Sequence, residues 1–136
     1  MKLKRLTALL LSVMMVLSLA ACGGGGDTKD DSVSGDLSGK EIIIGNITPV
    51  TGAQAAYGLA ITNSIQLAID EINAAGGILG ATVKLSTKDD QGTPAEAVSG
   101  FNSLLSEGAS AIIGATLSSC TSAITSLADD EGIVLV

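Results

Sequence analysis

The chain has 136 residues, seven Lys plus Arg against 14 Asp plus Glu, a formal net charge of −7, and neither histidine nor tryptophan. The missing histidine excludes histidine-based acid–base catalysis and imidazole metal sites. The negative balance repels phosphate backbones and makes nucleic acid a poor partner.

In residues 1–21, Lys2, Lys4 and Arg5 precede a core of about 12 mainly apolar residues and then small residues. This is the layout of a secretory signal peptide, and it is too short to span a ~30 Å hydrocarbon core as a helix. The run Leu19, Ala20, Ala21, Cys22 resembles the lipobox of bacterial lipoproteins. That resemblance implies cleavage before Cys22 and lipid attachment to its sulfur; the alternative is a signal peptide whose cysteine is incidental. Removing 21 residues from 136 leaves 115, enough for one small domain. Three of the seven basic residues leave with the signal, so four face 14 acidic ones, a formal charge of −10. Residues 22–40, opening with Gly23 to Gly26, carry almost no apolar content and are expected to form a flexible tether.

The folded part is expected over residues 41–136. Ile42, Ile43 and Ile44 form an uninterrupted β-branched run, as in a strand buried on both faces of a parallel sheet. Ile61, Ile65, Ala68 and Ile72 then recur with helical period, predicting an inward apolar stripe, and Gly76 with Gly77 supplies a left-handed stop. Residues 82–87 alternate, with Val83 and Leu85 against Lys84 and Ser86, which predicts a half-exposed strand nearer an edge. Thr93, Pro94, Ala95, Glu96 reads as a capping box with proline at the first helical position. Ala97, Phe101, Leu104 and Leu105 continue that helix as an inward face until Gly108. Residues 111–114 read as a third buried strand, and a helix follows from about 119 to 130 with Ala123, Ile124, Leu127 and Ala128 inward. Residues 133–136 begin a fourth strand.

This β-α-β-α-β-α-β order predicts an α/β doubly wound parallel sheet with helices on both faces. The sequence stops inside the apolar fourth strand, so an N-terminal fragment of a longer protein is expected. Ligands of such sheets bind at the carboxyl ends of the strands. The loop after the first strand, taken as 46–57, holds the sole tyrosine: Tyr57 is either a lid over an apolar ligand or a packed surface residue. The loop after the third strand holds Leu117, Ser118, Ser119 and Cys120 and opens a helix. Its hydroxyls and N–H groups suit a carboxylate or phosphate, or else Ser118 or Ser119 is an ordinary helix cap. Asp89 and Asp90 read as a solvated turn before Thr93 rather than a ribose or cation site, and Cys120 as a small core residue rather than a nucleophile, since no histidine exists to activate it. The glycines at 45–52 and 76–80 lack the context of nucleotide-binding loops. No catalytic residue, metal site or cofactor is expected.

Residues 40–136 resemble the N-terminal lobe of the periplasmic binding proteins for branched-chain amino acids, solute receptors of ABC importers. The resemblance rests on Ile43 to Asn46 leading into Pro49, Thr51, Gly52, Tyr57 and Gly58; on Asp70 through Gly80, above all Ile72 to Gly80; on Asp89 and Asp90; and on Ile112, Ile113, Gly114 before a serine-rich loop. It implies a receptor that is not an enzyme, that closes two lobes around leucine, isoleucine, valine or a similar small amino acid, and that delivers it to an importer permease. It implies that Ser118, with Leu117 and Ser119 beside it, holds the ligand carboxylate, and that Tyr57 covers the ligand side chain. With a lipid on Cys22, the protein would sit at the extracytoplasmic face of the cell membrane. A disulfide common in the family is not expected, because its positions are Gly92 and Leu117 here. Receptors for amides, urea or aromatic acids on the same lobe, and more remotely an exported α/β enzyme, are the alternative readings.

Overall fold

The computed structural model describes residues 35–136, so the expected signal peptide of 1–21, Cys22 and most of the expected tether lie outside the described residues. Strand β1 (Glu41–Thr48) is followed by α1 (Ala55–Ala74), β2 (Thr82–Asp89), α2 (Pro94–Ser106), β3 (Ala109–Gly114), α3 (Ser118–Glu131) and β4 (Val134–Leu135). Every strand pairing is parallel, and the order across the sheet is β2-β1-β3-β4. Crossovers from β1 to β2 and from β2 to β3 run in opposite directions. Right-handed connections therefore put α1 on one face and α2 with α3 on the other. The doubly wound sheet expected from the element order is present.

Alternation along β1 divides its side chains between the two faces. Ile47 packs with Phe101 and Leu104 of α2, Ile112 of β3 and Ile124 of α3, all fully buried, and Ala97, Cys120 and Ala128 complete this core. Each large side chain buried there contributes about 1.5–3 kcal/mol. On the opposite face the expected stripe is turned to the sheet but only partly covered: Ile65, Ala68 and Ile72 line one groove with Ile44, Val83 and Ile113. Ile69 is the buried apolar side chain of α1, Ile61 and Ile65 are half-buried, and Ala68 and Ile72 are exposed. The reason is packing: α1 lies over β2 and β1, and an apolar groove of about 390 Å³ stays open between Ile65, Ile69 and Ile72 on the helix and Ile44, Val83 and Ile113 on the sheet.

The segment that ends α1 needs its particular residue types for geometric reasons. Asn73 behaves as one more rung of the ladder at the outer edge of β2: the Val83 N–H donates to Asn73 Oδ1 and Asn73 Nδ2 donates to the Val83 carbonyl, both at 2.8 Å. Gly77 has φ +76°, and a Cβ there would stand 1.9 Å from the Ala81 carbonyl oxygen. Only glycine allows that approach. The Leu37 N–H donates to the Leu79 carbonyl and the Thr82 N–H to that of Lys40, so the last residues before β1 already lie along this turn.

Two strands run further than their apolar runs suggest. β1 continues to Thr48 because it is paired on both sides, with Asp89 opposite Thr48 and Gly114 opposite Ile47. At α2 half of the capping box forms. Thr93 Oγ1 accepts from the Glu96 N–H, while the Thr93 N–H donates to Asp90 O. β4 is two residues long, and Val134 and Val136 are exposed.

Candidate functional site

The ends of β1, β2 and β3 bring three loops to one edge of the sheet. Thr48 Oγ1, fully buried, and Thr116 Oγ1 are hydrogen-bonded at 2.6 Å and join the first loop to the third. Thr121 Oγ1 donates to the Ala115 carbonyl at 2.7 Å and fixes the loop against the first turn of α3. At the centre of the edge, Gly92 faces Leu117 and Gln54. A Cβ on Gly92 would lie 3.2 Å from Leu117 Cδ1 and 3.3 Å from Gln54 Oε1. Gly92 and Leu117, the two positions at which the resemblance would put a disulfide, are thus neighbours, and neither is a cysteine.

Tyr57 lies in the first turn of α1 and not in the loop, because that helix starts at Ala55. Its side chain is 70% exposed. The start carried no sequence signal, since the N-cap is Gln54 and makes no side-chain cap. What places it is Gly58. A Cβ at that position would stand 1.9 Å from the Pro49 carbonyl oxygen, so the loop lies directly on the helix.

Ser118 and Ser119 open α3, and the capping reading of them does not hold. The N-cap is Leu117, with φ −99° and ψ 135°, and no side chain caps the helix. Both serines sit inside the first turn and are exposed. The Cys120 and Thr121 N–H groups both donate to the Leu117 carbonyl. Two hydroxyls and the positive end of the helix dipole are therefore presented at the carboxyl edge, an arrangement that attracts a carboxylate.

Asp89 and Asp90 are not a solvated turn. Pairing carries Asp89 to the end of β1, and Asp90 is fully buried beneath the loops. Its Oδ1 accepts the Gly92 N–H at 2.9 Å, and among the described residues its Oδ2 has no partner. Cys120 is fully buried and belongs to the core. Burial and the nearby Asp90 charge push its thiol above the usual range, which leaves it a poor nucleophile. The sequence reading missed the Thr48–Thr116 bond and the role of Gln54, which become visible only when the strand ends are aligned.

Residues 41–136 match the family described as Periplasmic binding protein. The Leu/Ile/Val-binding protein BraC3 of Rhizobium johnstonii is 38% identical over 100 residues, 74% of this chain and 27% of its own length. The leucine-, isoleucine-, valine-, threonine- and alanine-binding protein of Pseudomonas aeruginosa is 35% identical over 88 residues, 65% of this chain and 24% of its own. Among solved structures, the branched-chain amino acid transporter substrate binding protein LivJ of Streptococcus pneumoniae, in complex with isoleucine, is 40% identical with a TM-score of 0.67. That match covers 71% of this chain and 28% of the streptococcal one. The chain thus spans about a quarter of the length of the relatives it matches. With its fold, its element order and residues 41–136 all in agreement, the chain belongs to the periplasmic binding protein family.

Proposed function

We propose that this chain is the N-terminal lobe of an extracytoplasmic receptor that binds a branched-chain or related small amino acid and presents it to an ABC importer. The observation that carries this reading is the uncapped first turn of α3, with Ser118 and Ser119 exposed, in a chain 40% identical to an isoleucine-bound relative. Ser118 Oγ and the first-turn N–H groups receive the ligand carboxylate, Leu117 and Ser119 flank it, and Tyr57 covers the side chain. A second lobe then closes on the ligand. Contacts from both lobes favour the closed state, and the importer permease reads that state. Lipid on Cys22 and the polar residues after it hold the receptor at the outer face of the membrane.

Calorimetry with leucine, isoleucine and valine tests the site on a protein in which a second lobe follows this chain. Ser118→Ala removes a charge-assisted hydrogen bond and lowers affinity roughly 10- to 150-fold. Tyr57→Ala also weakens binding, through lost apolar cover. Unchanged affinity for Ser118→Ala would remove Ser118 from the site.

A further inference from the structure

The β1–α1 loop is clasped by a side chain from another strand. Asp89, the last residue of β2, turns its carboxylate to the start of the loop. Oδ1 accepts the N–H of Val50 at 2.9 Å and that of Thr51 at 3.4 Å, and it also accepts the Gln91 N–H of its own turn at 2.9 Å. Oδ2 accepts the Thr51 hydroxyl. These are hydrogen bonds to an ionised acceptor, the stronger kind. The ion pairs among the described residues are Lys84 with Glu41 and Lys88 with Glu107, so the Asp89 charge is directed at the loop and not at a cation.

Two further contacts carry this restraint to the helix. Pro49 is fully buried, and its carbonyl lies where a Cβ of residue 58 would stand. The first turn of α1 has neither a side-chain cap nor an acidic residue to steady it. The placement of that turn depends on the loop beneath it.

We propose that Asp89 is a positioning residue for the ligand-covering segment: it locks the β1–α1 loop and, through the Pro49–Gly58 contact, sets where Tyr57 stands on the carboxyl edge. The inference rests on the reading of Tyr57 as the residue that covers the ligand. The hydrogen bonds of Asp89 go to the loop and to its own turn.

Residue-resolved amide exchange on the full chain tests it. In Asp89→Ala the Val50 and Thr51 amides exchange about 10-fold faster or more, the equivalent of one charge-assisted hydrogen bond. Tyr57 and Gly58 follow them, while Phe101 and Ile112 keep their protection. Asp89→Asn retains a carbonyl oxygen as acceptor for the backbone donors and restores protection to within a few-fold of the original. Thr51→Ala, an exposed change that leaves the core intact, gives a smaller increase at the same amides. Original exchange rates at Tyr57 and Gly58 in Asp89→Ala, or an equal loss at Phe101 and Ile112, would overturn the proposal. Should Asp89→Ala fail to fold, the same comparison on Thr51→Ala decides it. The calorimetric test of Tyr57→Ala is independent: its failure removes Tyr57 from the ligand site and leaves the exchange result standing.

Discussion

Replacing Asn73 by alanine isolates the rung that closes the outer edge of β2. The side chain makes two hydrogen bonds of 2.8 Å to the N–H and C=O of Val83. Val83 is only 3% exposed, so water cannot take over both bonds when the amide is removed. Leaving a buried backbone group unpaired costs about 1–3 kcal/mol, and two such groups with partial access at the edge give a loss of roughly 2–4 kcal/mol. Against a total of about 5–15 kcal/mol for a domain, and at ~4–8 °C per kcal/mol for this size, the melting point falls by roughly 10 °C or more. Asn73→Asp accepts from the Val83 N–H but sets its second oxygen against the Val83 carbonyl, so at neutral pH it is at least as damaging. Below about pH 4 its protonated form has an O–H to donate, and the deficit narrows. Urea unfolding followed by circular dichroism measures both, with Gln66→Ala as control. Gln66 Nε2 donates to Asp70 Oδ1 on the exposed side of the same helix, and its loss stays within about 0.5 kcal/mol. An Asn73→Ala protein as stable as the control would refute the reasoning.

Gly58→Ala places a methyl 1.9 Å from the Pro49 carbonyl oxygen, a backbone atom with no rotamer to retreat into, and destabilises by about 1–3 kcal/mol in the same urea assay; an unchanged midpoint would show that the loop is not seated on the helix. Burial alone would raise the Asp89 carboxyl, but the hydroxyl of Thr51 and the N–H groups of Gln91, Val50 and Thr51 outweigh it and hold the group below its ordinary range. A lowered folded value means stability present above the unfolded pKa near 3.9 and lost as pH falls through the folded one. The urea midpoint of the original chain therefore exceeds that of Asp89→Asn at pH 6, and the gap shrinks below about pH 4; a gap independent of pH would count against the clasp. In producing cells fed a labelled fatty acid, Cys22→Ser loses the label, and equal labelling of both forms would end the proposal of a lipid anchor.

Element types were legible in the sequence because they depend on neighbours in the chain. The isoleucine run at 42–44, the alternation after Thr82, the Thr93–Pro94 start and the Gly76–Gly77 stop each encode a period or a backbone preference of their own, and the parallel order follows from their alternation. The face of α1 was legible, since Ile65, Ala68 and Ile72 look onto the sheet, but its burial was not: Ile69 is covered while the groove beside it leaves Ala68 and Ile72 exposed. The carboxyl edge was the least legible region. Where β1 and β2 end is settled by what lies opposite Thr48 and Asp89, and only that pairing buries Asp90 and aims Asp89 at Val50 and Thr51. Serine near a helix start reads from the sequence as either an anion site or a cap; the backbone makes Leu117 the N-cap, so neither Ser118 nor Ser119 caps the helix. Hydrophobic period and turn chemistry are local, so a short stretch of sequence contains them, whereas the partners of the Asp89 carboxylate and of the Thr48 hydroxyl lie 38 to 68 positions away and only the folded sheet brings them alongside.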